Sequence, residues 1–405
     1  MKNHGIRFSA RRTSNTTHLK GGQLMDSMTD TDSRPSSVGP FNLGLDPGFG
    51  AVKAAYTRRE GSQVATVPSV VGVGETDMGL LSLGALGRRR RSRQPDQVTF
   101  DKITYLVGEG VARYARPVER MDFLRLSGGP ELRALFYDVV FRLLGEACPE
   151  QKRRGQHQGN GSVRSFQDRL TINVMVGLPV EVMADREQAR ATLRALRSWM
   201  VTRHKYTVNG REVTLVVENV KVMAQPAGTF FAWGLNNHGK WVRGRSALRA
   251  PVAICDIGFH TLDLFTVEGG EVVARFTGGD TVGMRRAAEL IINTVRTGHG
   301  VDLSLHEADA LVRQRHPRLQ TAGGEVKLRA QVDQALDTTA AAVVTFVERQ
   351  WGNGRQFAHL LFTGGGAEAL KATLLRQYPH GMVLPNAVTA NALGLARYAA
   401  RVFPA

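Results

Sequence analysis

Cysteine is nearly absent: only Cys148 and Cys255 occur in 405 residues. Two thiols build no disulfide framework and offer no ligand cluster for structural zinc. Cys255 lies in an apolar run beside Asp256 and reads as a small buried hydrophobe. Long apolar runs are missing too. None reaches the ~18 residues that a membrane-spanning helix needs; a cytoplasmic chain without a membrane partner is the expectation. The basic start of the chain has no apolar segment behind it, which excludes a secretory signal. Acidic residues are outnumbered, 36 Asp and Glu against 53 Lys and Arg, for a formal charge of +17. Such a field favours polyanions. Aromatics are 7% of the chain. None interleaves the densest arginine run, so a stacking surface for single-stranded nucleic acid is not indicated.

The remaining composition, 42% hydrophobic and 22% charged, is that of a folded protein. The length suffices for two lobes with substantial cores. Residues 1–40 mix Ser, Thr, Gly, Pro and charge without apolar period, and disorder is expected there. A transit-peptide character and a true start at Met25 or Met28 are alternative readings of this segment. Positive charge gathers at Arg88–Arg93, at Lys152–Arg154, and at Lys240, Arg243, Arg245 and Arg249. Solvated loop charge, non-specific nucleic-acid contact and docking of an acidic partner all stand open for these clusters. His157 sits in a Gly-rich stretch without a partner at metal-ligand spacing and reads as a surface residue.

Two segments some two hundred residues apart have one pattern. Leu43–Tyr56 and Val252–Val267 each run apolar to an Asp, then x-Gly, a few turn residues and a second apolar run. That pattern predicts a β-hairpin with a carboxylate, Asp46 or Asp256, at its tip. Tight turns expose backbone N–H groups that cradle phosphate. A carboxylate beside phosphate implies a hydrated Mg²⁺ between them. A third segment, Ala358–Leu370, reads as a buried strand, a triple Gly and a helix start, where backbone lets a flat ligand approach closely. Periodicity predicts helices over Glu131–Glu146, Asp185–Met200, Thr281–Arg296, Arg329–Trp351, Glu368–Gln377 and Ala387–Arg401. Strands are predicted at Gln63–Val67, Leu170–Leu178, Val220–Met223 and 358–363. A hairpin is expected around Asn209-Gly210, and a second meander over Val252–Ile254, Leu262–Val267 and Val272–Phe276. Residues 72–97 read as a loop insertion.

The order hairpin, hairpin, Gly-rich turn resembles the actin/Hsp70/sugar-kinase ATPase superfamily. Thr171–Pro179, ending in Gly-Leu-Pro, and Val220–Gly228, VKVMAQPAG, resemble the ParM/StbA plasmid-segregation actins and archaeal actin-like proteins. The likeness runs from Asn42 to the C-terminus and is weak at 74–100 and 148–168. It implies an α/β, duplicated actin/Hsp70-type (ribonuclease H-like) fold with two lobes around a nucleotide cleft. Lobe I would span 41–235 and lobe II 251–385, with part of 386–405 packing on lobe I.

By the same resemblance, ATP and Mg²⁺ are the cofactors. Asp46 and Asp256 would face the metal, largely through water. Gly48, Phe49, Gly50, Gly258, Phe259, His260 and Thr261 would supply phosphate-binding backbone. Lys53 would reach the β/γ oxygens as a point charge. Gln225 matches the water-orienting position of actin, where ParM proteins often carry Glu. It would position water while Asp256 stabilises or accepts the proton. Gly279 and Asp280 resemble the ribose-side segment, with Arg285 and Arg286 near the base or sugar. Gly364, Gly365, Gly366 and Glu368 would receive the adenosine. Asp263 is expected to make a structural hydrogen bond, and His260 either senses the γ-phosphate or points outward.

The resemblance further implies an ATPase that assembles into filaments, with a DNA-bound adaptor as partner, for segregation of plasmid or other replicon DNA. A small-molecule kinase and a non-polymerising scaffold of the same superfamily are the alternatives. An Hsp70-type chaperone is disfavoured, because no peptide-binding domain follows Arg401.

Overall fold

The structure, a computed structural model, describes residues 40–58, 61–76, 94–118, 126–147 and 170–403. The Arg88–Arg93 and Lys152–Arg154 clusters and His157 lie outside the described residues, as does Cys148.

The first half opens with the strands β1 (Phe41–Pro47), β2 (Ala51–Arg58), β3 (Gly61–Pro68), β4 (Val71–Val73), β5 (Asp96–Phe100) and β6 (Ile103–Val107). Then come α1 (Pro130–Ala147), β7 (Leu170–Leu178), α2 (Val180–Ala184), α3 (Arg186–Met200), β8 (Arg203–Val208), β9 (Arg211–Ala224) and α4 (Gln225–Gly234). A connector with the short helix α5 (Arg245–Arg249) leads to the second half.

There β10 (Val252–Ile257), β11 (Leu262–Glu268), β12 (Glu271–Val272) and β13 (Gly278–Asp280) precede α6 (Arg285–His299) and α7 (Leu305–Val312). The hairpin β14 (Arg318–Thr321) and β15 (Gly324–Lys327) is followed by α8 (Arg329–Trp351) and β16 (His359–Thr363). The chain closes with α9 (Gly364–Ala369), α10 (Lys371–Gln377), β17 (Gly381–Val383) and α11 (Ala390–Val402).

The duplication is explicit in the sheets. The first contains the order β3-β2-β1-β7-β9, extended by β8-β5-β6-β4; the second runs β12-β11-β10-β16-β17. In each, two antiparallel pairings are followed by two parallel ones. The central strand β10 is buried at every position, as a strand covered on both faces must be. Gly44 of β1 has no side chain to hold α11 away, and a Cβ there would stand 2.2 Å from the Ala392 carbonyl oxygen. Leu395, Ala399 and Phe403 of the closing segment pack on Met175 of β7, so this helix belongs with the first sheet.

Several departures from the sequence reading have physical causes. Of residues 72–97, read as a loop insertion, Gly72 and Val73 belong to β4 and Asp96 and Gln97 to β5, both pairing with β6, while residues 77–93 lie outside the described residues. The third strand expected at Val272–Phe276 is broken after Val272, because the Thr277 hydroxyl accepts from the Thr266 N–H and takes the place of ladder backbone. Helix α6 begins at Arg285 rather than Thr281, since the Met284 and Arg285 N–H groups are donated to the Gly258 and Phe259 carbonyls. The helix expected over Glu368–Gln377 is split into α9 and α10 at Leu370. The second arm of the Asn209-Gly210 hairpin and the strand expected at Val220–Met223 merge into the single long β9, with a register shift against β7.

Candidate functional site

The two Asp-tipped hairpins meet tip to tip. Phe49, from the first, is 5% exposed and packs in the core of the second half with Phe259, Ile257 and Met284. A Cβ at Gly50 would stand only 2.8 Å from the Phe259 Cβ. Both turns are pinned through their carbonyls. Ser69 donates its hydroxyl to the Gly48 carbonyl (2.7 Å) and its N–H to the Gly50 carbonyl (3.0 Å). In the second turn, the Met284 N–H donates to the carbonyl of Gly258, the counterpart of Gly48, at 3.1 Å. The Arg285 N–H donates to the Phe259 carbonyl at 2.7 Å. The Gly258 N–H itself is spent on the Thr261 carbonyl (2.8 Å).

Asp46 is 3% exposed and Asp256 6%. Register places Lys53 opposite Asp46 on β2, with Nζ 3.3 Å from Oδ2. Gln225, the first residue of α4, donates Nε2 to Asp46 Oδ1 at 2.8 Å. The bond to a carboxylate fixes the amide orientation and leaves Oε1 as an acceptor. Asp256 is held by a residue that sequence reasoning missed: Asn391 of α11 donates Nδ2 to Asp256 Oδ2 at 2.6 Å. Thr229 in turn donates to Asn391 Oδ1 at 2.7 Å, which fixes the orientation of that amide. Burial first, and then the charge of Asp46, push Asp256 up to about 6.

Asp263 faces Asp256 across the β10–β11 ladder. Its Oδ1 accepts the Val180 N–H at 2.8 Å and so joins the second half to the start of α2. Burial, helped by Asp256, raises Asp263 to about 7. The structural hydrogen bond expected of it is present. His260 lies edge-on to Phe49, with ring centroids 4.8 Å apart. Burial and then Arg285 lower its pKa, which keeps the imidazole neutral near pH 7. Cys255 is fully buried, and burial pushes its thiol well up.

Gly364 adopts φ 86°, a conformation that disfavours any side chain. A Cβ there would lie 2.3 Å from the Ile257 carbonyl oxygen and 2.5 Å from Asp256 Oδ1. The Gly-rich turn is thereby brought against the second hairpin. Arg313, at the end of α7, was not foreseen. Its guanidinium would be 3.2 Å from a Cβ at Gly365, and Asp309 holds it at 2.8 Å. Gly279 and Asp280 pair with Asp263 and Leu262 on the far edge of β11. Arg285 pairs with Glu289 at 2.8 Å on the surface of α6. Glu368 is exposed on α9. Asp46, Lys53 and Gln225 therefore form one bonded group. Asp256 with Gly364 forms a second, against which the first hairpin packs.

Two lobes of one topology, each presenting an Asp-tipped hairpin to the other, define the class of two-lobed ATPase-type folds typified by actin. Two family models match within the chain: "Actin like proteins N terminal domain" over residues 159–228, and "Archaeal actin homologue MreB-like, C-terminal" over residues 254–376. The chain has the fold shared by ParM and archaeal actin homologues.

No curated protein matches it in sequence. Among solved structures, a pCBH ParM non-polymerisable quadruple mutant is similar at 17% identity and TM-score 0.65, over 90% of this chain and 100% of that one. A 15-stranded ParM filament from Clostridium botulinum is similar at 17% identity and TM-score 0.65, over 89% and 99%. The archaeal actin homologue Ta0583 in complex with ADP is similar at 15% identity and TM-score 0.62, over 89% and 99%.

Proposed function

We propose that this protein binds and hydrolyses Mg-ATP between its two hairpins and assembles into nucleotide-dependent filaments. Segregation of plasmid or other replicon DNA, through a DNA-bound adaptor, is the process we assign to them in the cytoplasm. One observation carries the reading. Two carboxylate-tipped hairpins of equal topology pack tip to tip, with Gln225 bonded to one carboxylate and Asn391 to the other. The first lobe is taken as 41–235 with part of 386–405, and the second as 251–385.

The residues present fit the cofactors. Among the described residues no cluster of three or more His, Cys, Asp or Glu could hold a metal ion directly. Two buried carboxylates that repel one another favour a hydrated cation held through water. When bound, Mg²⁺ neutralises charge on the β- and γ-phosphates. The backbone of Gly48, Phe49, Gly50, Phe259, His260 and Thr261 supplies the phosphate donors, and Lys53 adds a positive charge from β2. Gln225 has its amide N–H committed to Asp46, and its free oxygen positions the attacking water. Gln cannot take the proton. Asp256, with a pKa near 6, is ionised at neutral pH and can accept it. Gly364, Gly365 and Gly366 receive the adenosine, with Arg313 alongside.

Sedimentation with Mg-ATP, Mg-ADP and a non-hydrolysable analogue, with phosphate release measured in the same tubes, tests this directly. Pelleting with ATP or the analogue, weaker with ADP, is expected. Phosphate release without pelleting would remove the filament and leave a nucleotide switch. Absence of both would remove the ATPase.

A further inference from the structure

The connector between the two sheets carries an uncompensated positive surface. From Asn219 to Cys255 the sequence contains no Asp or Glu, and none follows Glu368. The fold brings these two acid-free stretches together. Arg397 of α11 donates Nε to Asn237 at 3.3 Å, and a Cβ at Gly239 would be 2.9 Å from the Arg401 Cβ. Lys221 on β9 reaches the Val402 carbonyl at 3.4 Å. Lys221, Lys240, Arg243, Arg245, Arg249 and Arg401 are all exposed. Among the described residues none of the six is in an ion pair. Arg243 is anchored by its Nε bond to the Trp233 carbonyl (2.9 Å) and lies over the Trp233 ring, 5.0 Å from its centroid, with no carboxylate partner among the described residues. Arg245 and Arg249 are four residues apart on α5 and share one face.

We infer that this face binds the phosphate backbone of duplex DNA without reading its sequence. The cations come from β9, the connector with α5, and the closing helix α11, and a spread of charge over separate elements suits a continuous polyanion. Trp241 offers no platform for single strands. It packs against Phe230 at 5.3 Å and Trp233 at 5.9 Å between ring centroids. The exposed apolar side chains here, Val242 and Leu248, are single residues rather than a patch. The inference rests on charge and placement and is independent of nucleotide hydrolysis.

The test measures fluorescence anisotropy of a labelled mixed-sequence duplex with the full, nucleotide-free chain across a sodium chloride series. Lys240→Ala/Arg245→Ala/Arg249→Ala removes three exposed charges from the face. Arg186→Ala/Arg190→Ala/Arg194→Ala removes three exposed charges from α3 and serves as the matched control. Losing three phosphate contacts lowers the magnitude of the log K against log salt slope by about 2.7, and affinity at low salt falls tenfold or more. The control keeps the wild-type slope. Equal losses in both variants would overturn the inference, since binding would then follow net charge alone. So would wild-type protein that fails to bind the duplex at low salt. A connector variant that keeps duplex binding but loses binding to phosphatidylserine vesicles or polyglutamate would assign the face to another anion.

Discussion

Asp46 and Asp256 occupy equivalent places in the two hairpins, yet their surroundings differ in charge. Asp46 has a cation, Lys53 Nζ at 3.3 Å, and an amide donor, Gln225 Nε2 at 2.8 Å. Asp256 has the amide of Asn391 at 2.6 Å, no cation bonded to it among the described residues, and a second buried carboxylate, Asp263, across the ladder. Duplication has thus preserved backbone geometry and strand order but not electrostatics. The first hairpin is close to neutral by itself. The second is short of positive charge, and it is the one that gains most from a cation brought with a nucleotide.

The sharpest way to break the comparison is Asp256→Ala. Hydrolysis is expected to fall about 100- to 1000-fold, the scale of losing an electrostatic group at the reacting phosphate. Circular dichroism and thermal melting should still report a folded chain. Unchanged turnover would refute the site. Phe49→Ala tests whether the hairpins must touch. Truncating a buried Phe costs about 3 kcal/mol, and here the side chain comes from one half and its pocket from the other. A thermal melt should show the loss, and one confined to the first half would deny the tip-to-tip contact.

Gln225→Ala is expected to slow turnover about 100-fold, the range for a group that positions a proton-transfer partner. Nucleotide affinity should stay within a few fold. Equal losses of rate and affinity would give Gln225 a structural role through Asp46.

How much of this was legible in the sequence follows from where each contact comes from. Leu170–Leu178 and Arg329–Trp351 appear with the bounds read from the sequence. An unbroken apolar run and a long helical period are local signals. Both hairpins were legible too, because Asp, Gly and flanking apolar residues are sequence neighbours. Asn391 was not: it lies 135 residues from Asp256. The only trace was a polar residue among Ala390, Ala392 and Leu395 on a buried helix face. Ser69 and Arg313 likewise act from outside the motifs, through a turn carbonyl and over a glycine. The delayed start of α6 follows from tertiary hydrogen bonds overriding helix propensity.

The smallest expected effect separates the hairpins most cleanly, because it has opposite signs in the two. The folded-state pKa of Asp256 is raised from 3.8 to about 6. The native protein therefore holds a proton that the unfolded chain releases, and stability is lost as pH rises from about 4 to 6. Above that window the buried charge is a standing cost. Asp256→Asn removes the charge and keeps an acceptor for Asn391. It should stabilise the ligand-free protein at pH 7.5 by about 1–2 kcal/mol, an advantage that shrinks to nothing below pH 4. Asp46→Asn removes the partner of a Lys53 side chain that is only 15% exposed. It should destabilise at pH 7.5 by about 1 kcal/mol, since it leaves that ammonium uncompensated. It also lifts part of the repulsion on Asp256, which limits the loss. Chemical denaturation of the two variants at pH 7.5 and pH 4 reads both signs. Destabilisation by both at pH 7.5 would mean that Asp256 is compensated as fully as Asp46, and the electrostatic difference between the hairpins would disappear.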